Sequence, residues 1–275
     1  MIVVSAASGA LGRLVVERLL SRVPAKDLAV AVRSPDSVAA LAARGVEIRR
    51  GDYDDPATLT SAFARADRLL LISSPELDPA RRIGHHRAAL DAAREAGVGA
   101  VVYTSFLDAD TKPDGLTEAH HVTEQALRDS GLNHTVLRHP FYSEAFLNPG
   151  LRTAVAEGEL WDGTDGRGIN TASRADLAEA AARVLTEDGH LGRSYDFTGT
   201  LWTYPELAEV LTQLYGEPVR IRQRAEPAAG IQGWLELQIR SGALERRTED
   251  LGRVLGRAPT ALRQAVRELT STDGS

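Results

Sequence analysis

A doubly wound α/β fold is what this sequence predicts: a parallel sheet covered by helices on both faces, with a smaller mixed α/β lobe towards the C-terminal end. Three observations predict it. The chain opens on a strand, a tight turn and an amphipathic helix between Met1 and Leu20. Short apolar runs then alternate with helical patterns as far as Arg138. Most of those runs are apolar at nearly every position, as strands buried on both faces are.

Taken in order, the opening β-branched run stops at Ser5, small residues turn through Gly9 and Gly12, and a helix follows at once. Leu28 to Val32 and Val46 to Arg49 are the second and third strands. Ser34-Pro-Asp-Ser-Val starts the helix between them, with Pro35 suited to a first turn. Arg68 to Ser74 is a fourth strand and Ala100 to Ser105 a fifth, separated by a long helix from about Pro79 to Glu95 that ends at Ala96-Gly97. A helix from Leu116 to Asp129, a Ser130-Gly131 stop and a strand from Asn133 to Arg138 complete the sixth unit. Past Pro140 the rhythm loosens into turn residues at Asn148-Pro-Gly and Gly158 to Gly168. A helix from Arg174 to Thr186, a short strand near Tyr195, a helix from Tyr204 to Leu214 and a candidate strand from Val219 to Arg222 follow. The last helices are expected at Gly230 to Arg240, Glu249 to Leu255 and Pro259 to Leu269, with Thr270 to Ser275 disordered. The pattern divides into a Rossmann-type dinucleotide-binding domain, residues 1–142, and a substrate lobe, residues 143–275, interleaved and not independently folding.

Of the 275 residues, 43% are apolar, ample for a buried core. The net charge is −6 and the charged residues, 25% of the chain, mix both signs. That offers neither a basic stripe for nucleic acid nor a polybasic patch for a membrane, so the expected partner is a small molecule. A homodimer is compatible with it. The chain has no cysteine, which excludes disulfides, thiolate catalysis and cysteine metal sites. No charged leader precedes the first strand and no apolar run reaches about 18 residues, from which we expect a soluble cytoplasmic protein. A composition rich in Ala, Arg and Leu and poor in Lys is associated with GC-rich bacterial genomes.

Where a turn opens a helix directly after a strand, free backbone N–H groups and the helix dipole converge on one spot and favour a phosphate there. Here the turn is Ala6-Ala7-Ser8-Gly9-Ala10-Leu11-Gly12, a glycine pattern whose first glycine is Ala6. Gly9 allows close approach to a pyrophosphate and Gly12 lets the helix pack on the strand, while Ala6 must make the tight turn with a Cβ present. The competing reading is a nucleotide-free α/β turn. At the end of the second strand, where NAD-binding proteins hold an acid for the ribose diol, stands Arg33. A guanidinium can clamp a 2′-phosphate bidentately, so the cofactor expected is NADPH (NADP) rather than NADH. Otherwise Arg33 is a solvated cation flanking a helix. After the third strand, Asp52 could accept from an adenine amino group with Tyr53 flanking the ring, or Asp52 could cap the helix starting at Pro56.

The opening turn, Ala31-Val-Arg-Ser-Pro, Leu70-Leu-Ile-Ser-Ser, Tyr103-Thr-Ser, Thr123-Glu-Gln-Ala-Leu, Thr135-Val-Leu-Arg-His-Pro-Phe-Tyr-Ser-Glu and Ser173-Arg-Ala-Asp-Leu-Ala stand in one order. Together they resemble the NmrA-like branch of the atypical short-chain dehydrogenases, most closely its bacterial type 2 NAD(P)H:quinone oxidoreductases, over residues 1 to about 200. The resemblance implies that Ala6 to Leu11 line the phosphates, that Arg33 holds the 2′-phosphate, and that Ser73 and Ser74 touch the adenosine or ribose side. It implies that Thr104 and Ser105 border the nicotinamide. Arg138, His139, Pro140, Phe141, Tyr142 and Ser143 would run along the nicotinamide and form the wall shared with substrate. Arg174 would sit near the same cleft, or with Asp176 only cap and pair at the start of its helix.

The chain departs from that pattern at Ala6, and it lacks the Tyr-x-x-x-Lys pair with which ordinary short-chain dehydrogenases protonate a carbonyl, since Tyr103 has Leu107 four residues on. A ketone reaction needs a tuned proton donor; a quinone does not, because hydride addition gives an already stabilised anion. The leading expectation is therefore an NADPH-dependent oxidoreductase passing hydride directly to a quinone or similar activated acceptor, with no flavin and no metal. The nicotinamide C4 would face a shallow cleft near Phe106, Phe141 and Tyr142. Tyr142, His121 and His139 are the candidate catalytic residues, His139 being as well suited to a structural hydrogen bond. His85-His86 and His120-His121 are adjacent on their helices, point to different faces and make poor metal sites. Trp161, Trp202 and Trp234 read as core or rim packing. Two other functions stay open: a non-catalytic NADP(H)-sensing regulator, and a reductase of a biosynthetic imine, enone or benzylic ether. The segment from Gln223 to Gly242, least like the family, is where substrate contacts should fall and could act as a lid.

Overall fold

A computed structural model describes residues 1–111, 113 and 115–270. Its strands are β1 (Ile2–Ser5), β2 (Leu28–Val32), β3 (Glu47–Arg50), β4 (Arg68–Leu71), β5 (Ala100–Phe106), β6 (His134–His139), β7 (Phe141–Tyr142), β8 (Glu159–Asp162), β9 (Ile169–Ala172), β10 (Ser194–Asp196), β11 (Thr200–Trp202) and β12 (Arg220–Gln223). The helices are α1 (Ala10–Leu20), α2 (Ala39–Ala42), α3 (Leu59–Phe63), α4 (Pro79–Glu95), α5 (Glu118–Asp129), α6 (Leu151–Glu157), α7 (Arg174–Thr186), α8 (Tyr204–Tyr215), α9 (Gly230–Arg240), α10 (Asp250–Leu255) and α11 (Leu262–Thr270). They fall into two compact units, Met1–His139 with Leu177–Phe197, and Pro140–Asp176 with Thr198–Ser275.

The first unit is built on a seven-stranded parallel sheet of order β10-β6-β5-β4-β1-β2-β3. Every residue of β1 and β2 is buried, as the continuous apolar runs predict for strands covered on both faces. The edge strand β3 buries only Arg49, whose guanidinium is spent on the Ala62 and Ala64 carbonyls and on Glu47. Strand order reverses between β1 and β4, the kind of switch point at which open α/β sheets bind ligands.

Three differences from the sequence expectation have physical causes. The fourth strand stops at Leu71, not Ser74, because the next three backbone N–H groups bond side chains instead of a neighbouring strand: Ile72 to Ser5 Oγ at 2.9 Å, Ser73 to Thr104 Oγ1 at 3.0 Å and Ser74 to His86 Nε2 at 2.9 Å. The strand near Tyr195 and most of α7 belong to the sheet unit and not to the lobe beyond residue 142, since β10 pairs parallel with β6. The α7 run Leu177, Ala178, Ala180, Ala181 and Ala182 is fully buried, its small side chains permitting close packing. Finally, Thr270 is helical and buried, its carbonyl accepting from Arg152; residues 271–275 lie outside the described residues.

In the second unit, a three-stranded sheet of order β11-β9-β7 and a two-stranded parallel sheet β12-β8 surround a core that includes Leu160, Ile169, Trp202, Leu207, Leu211 and Val266. Trp202 is buried there and donates to Thr171 Oγ1, whereas Trp161 and Trp234 are exposed. Within the 223–242 segment, α9 is latched by Glu236, which accepts from Arg224 and from the Ala228 N–H, and by Arg240, which donates to the carbonyls of Gly163, Arg224 and Ala225. Among the described residues no helix is long and apolar enough to cross a membrane.

The first turn takes the form its substituted glycine position demands. Ala6 sits at φ +49°, the left-handed region that an L-residue enters at a cost of about 1 kcal/mol, and its carbonyl accepts from the Gly9 N–H at 3.0 Å. Gly12 is indispensable for a different reason: a Cβ there would stand 2.6 Å from the Ala6 carbonyl oxygen and 2.7 Å from Ala7 Cα. Ala6→Gly should therefore stabilise the protein by about 1 kcal/mol, seen as a rise of about 2–4 °C in the thermal midpoint. An unchanged or lowered midpoint would show that the turn is not strained.

Candidate functional site

A cavity of about 440 Å³ opens at the carboxyl ends of β1 to β4, wholly within the first unit. Ser5, Ala6, Ser8 and Gly9 supply one side, Arg33 stands after β2, Gly51 to Asp54 follow β3, and Ser74 to Leu77 follow β4; His85, Leu59 and Phe63 complete the lining. The two ends differ in charge. At the first turn, α1 begins with no acidic residue and no side-chain cap, leaving its N-terminal N–H groups and dipole to an anion. Arg33 is exposed, and its guanidinium makes no hydrogen bond or ion pair among the described residues. The other end carries Asp52, Asp54 and Glu76, the latter two bridged by Arg81. Arg81 holds the Asp54 carboxyl below its usual range, and the backbone N–H groups of Asp78 and Leu77 do the same for Glu76.

Of the residues singled out in the sequence, Ala6, Ser8, Gly9, Arg33, Asp52, Tyr53 and Ser74 line this cavity. Asp52 does not cap the following turn, a place taken by Asp55; its Oδ1 accepts from the Asp54 N–H. Tyr53 donates to the Ile72 carbonyl at 2.7 Å, receives the Ser5 hydroxyl at 2.8 Å and stacks on His85. Ala7 and Leu11 are buried behind the turn. Asp54, Glu76, Leu77, His85 and Phe63 were not read from the sequence as cavity residues. The signal available was the Pro75 to Asp78 stretch between a strand end and the Asp78 side chain that caps α4, which places it at the carboxyl edge of the sheet.

The first unit also holds two buried polar networks, the first of which reaches the cavity through His86 and Ser74. In the first, Arg82 donates to His120 Nε2 at 3.0 Å, His120 Nδ1 donates to the Tyr103 hydroxyl at 2.8 Å, and His86 Nδ1 meets Thr123 Oγ1 at 2.8 Å. Burial, helped by the Arg82 charge, pushes His86 down to about 3 and His120 well below its usual value, and burial raises the Tyr103 phenol. Phe106 packs against the His120 ring. In the second, Ser105 donates to Glu124 at 2.6 Å, and Arg138 clamps the same carboxylate through Nε and Nη2 while Nη1 reaches Asp110 and Asp196. Burial works against the Arg138 charge, and Glu124, Asp196 and Asp110 outweigh it. All three guanidinium nitrogens are thus engaged inside the protein, and Thr104 and Ser105, placed at the nicotinamide by resemblance, have their hydroxyls committed to the Ser73 N–H and to Glu124.

The remaining candidates are placed as follows. His121 donates through Nδ1 to the Ala109 carbonyl at 2.6 Å and accepts from the Gln125 amide at Nε2. His139 is buried, stacked on Phe197 and pushed by burial down to about 3; Pro140 is buried beside it. In the second unit, β7 pairs with β9 so that Phe141 faces Thr171 and Tyr142 faces Ala172, two residues before α7 begins at Arg174. That register brings the Arg174 guanidinium over the Tyr142 ring, 4.8 Å from its centroid. Glu144 accepts the Arg174 backbone N–H at 2.9 Å and lies 3.7 Å from its guanidinium, while Asp176 pairs with Arg257. Phe141 packs edge-on against Phe146. Among the described residues no group of three or more acidic or histidine side chains could hold a metal ion.

A family profile described as NAD(P)H-binding matches residues 6–188. The chain is 38% identical to quinone oxidoreductase 2 of Escherichia coli (strain K12) over 98% of each chain. It is 30% identical to an NmrA-like family domain-containing oxidoreductase of Aspergillus flavus over 97% of this chain and 94% of that one. The solved structure of the Citrobacter sp. triphenylmethane reductase complexed with NADP(H) matches with a TM-score of 0.92 at 34% identity, covering 98% of this chain and 99% of that one.

The buried histidines dictate an acid sensitivity. Burial pushes His86 and His139 down to about 3 in the folded protein and holds His120 well below its ordinary 6.5. As pH falls, the unfolded chain takes up these protons first, so the stability they contribute is complete above about pH 6.5 and drains away below it. Each should cost about 1.4 kcal/mol per pH unit over that window. Urea midpoints measured from pH 7 to pH 5 should fall steeply; a flat profile would mean that the three rings are solvated.

Proposed function

The chain belongs to the NmrA-like family of NAD(P)H-binding oxidoreductases, and on that premise we propose that it is an NADPH-dependent enzyme that passes hydride directly to a quinone or similarly activated acceptor, without a flavin. The observation that carries this reading is the cationic end of the cavity. A helix N-terminus free of acids, a turn in which Gly12 leaves no room for a Cβ and Gly9 only a tight one, and an Arg33 guanidinium with its donors unspent among the described residues fit a pyrophosphate and a 2′-phosphate together. In this reading the N–H groups of Ala10 to Gly12 receive the pyrophosphate, Arg33 grips the 2′-phosphate, and Asp52 accepts from the adenine amino group beside Tyr53. NADPH supplies the hydride.

The placement of the acids supports this class of acceptor. The Tyr103 phenol is locked between histidines, His120 and His139 are held neutral by burial, and both nitrogens of His121 are engaged. Groups so placed are poor proton donors, which favours an acceptor whose reduced form is already a stable anion over a simple ketone. In the second unit, the Arg174 cation lies over one face of the Tyr142 ring, an aromatic–cation pair suited to a planar acceptor that gains negative charge on oxygen. One relative is named for quinone reduction and one structural neighbour for triphenylmethane reduction, which supports a conjugated acceptor.

Stopped-flow oxidation of NADPH in the presence of a panel of quinones tests the reading, and absence of turnover with all of them would remove it. Arg33→Ala should erode the preference for NADPH over NADH by about tenfold in KM, with the loss confined to the phosphorylated cofactor. An unchanged preference would place the 2′-phosphate elsewhere. Arg174→Gln should lower kcat/KM for quinones by about tenfold while leaving the KM for NADPH in place.

A further inference from the structure

The adjacent histidines of α4 grip a single cavity residue from two sides. His86, fully buried, accepts the Ser74 backbone N–H at Nε2, 2.9 Å away. Because Nε2 accepts, its proton sits on Nδ1 and is given to Thr123 Oγ1, whose own hydrogen goes to the Ala119 carbonyl at 2.6 Å. His85 carries the opposite tautomer. Its Nε2 faces the Asp54 carboxylate at 3.0 Å and so bears the hydrogen, while its Nδ1 accepts the Ser74 hydroxyl at 2.9 Å. Asp54 lies in the segment after β3 and Ser74 in the segment after β4, and both line the cavity. One continuous chain of hydrogen bonds therefore runs from Asp54 through His85, Ser74 and His86 to Thr123 on α5.

We propose that the His85–His86 pair is the positioning device of the nucleotide cavity, setting the spacing of its two flanking segments and with it the affinity for an adenosine bearing a 2′-phosphate. The proposal rests on the nucleotide reading of this cavity. An apolar side chain would fill the His86 site equally well, but only an acceptor at Nε2 satisfies a backbone N–H that has left the sheet. His86 acts through Ser74 without lining the cavity, whereas His85 also presents its ring to it.

The test is calorimetric titration of the intact chain with 2′,5′-ADP, alongside steady-state kinetics. His86→Leu should weaken 2′,5′-ADP by about tenfold and raise the KM for NADPH by the same factor, leaving the KM for the acceptor in place. His86→Gln, whose amide oxygen can take the Ser74 N–H, should recover most of the loss. His85→Phe keeps the stacking on Tyr53 but drops both hydrogen bonds, and should weaken 2′,5′-ADP in the same direction; it decides the matter if His86→Leu does not fold. Affinities within about twofold of wild type in His85→Phe and in folded His86→Leu overturn the proposal. Wild-type protein that binds NADPH while these variants are unaltered overturns this inference alone, whereas wild type that binds no nicotinamide nucleotide overturns the nucleotide reading and this inference with it.

Discussion

Three consecutive backbone N–H groups, those of Ile72, Ser73 and Ser74, leave the sheet and are satisfied by side chains from β1, β5 and α4. Buried N–H groups must find partners, so this departure from the ladder demands Ser5, Thr104 and His86 at those places. Much of the cavity's architecture follows. Because β4 ends early, the chain is free to turn away beside β1 at the point where strand order reverses, and the space so opened is the cavity. The same Ser5 hydroxyl also engages Tyr53, tying the segment after β3 to the one after β4.

The second polar network has a different energetic character. Replacing a buried ion pair with apolar residues is often neutral, but removing one partner costs about 3–5 kcal/mol because the other charge is left stranded. Glu124 is buried beneath Arg138, with Ser105 completing its coordination and Asp110 and Asp196 sharing the guanidinium. Such a cluster is costly to break at one member and adds little net stability as a whole. It ties α5 to β5, to β6 and, through Asp196, to β10 of the sheet unit.

The alternation of apolar strands with helices was legible because each strand's burial is written in its own few residues. Arg33 was legible for a similar reason: its place at a strand end follows from local spacing, and the structure sets it on the cavity wall. What the sequence concealed depends on contacts between distant residues. Nothing near Tyr195 announces that Ser194–Asp196 joins β6 across more than fifty residues, and nothing in Thr104-Ser105 shows that both hydroxyls turn inward. The adjacent histidines carried no periodic signal, since their roles are set by the backbone N–H and the hydroxyl of Ser74, ten or more positions away. Arg138 shows the limit most plainly, because a motif can place a residue in the chain and leave the direction of its side chain undetermined.

The conformation of Ala6 bears on the choice between an enzyme and a sensor. Had alanine forced the turn out of the left-handed region, the N–H groups of α1 would be re-aimed and a weakened phosphate site would follow. Instead Ala6 adopts φ +49°, the region glycine would occupy, and its carbonyl still receives the Gly9 N–H. The strain belongs to the folded protein whether or not a ligand is present, so it cancels from a binding equilibrium and falls on folding stability. The close approaches that a phosphate and the helix require are kept by Gly9 and Gly12, which the chain retains. A missing first glycine is therefore no argument for a protein that only senses its nucleotide.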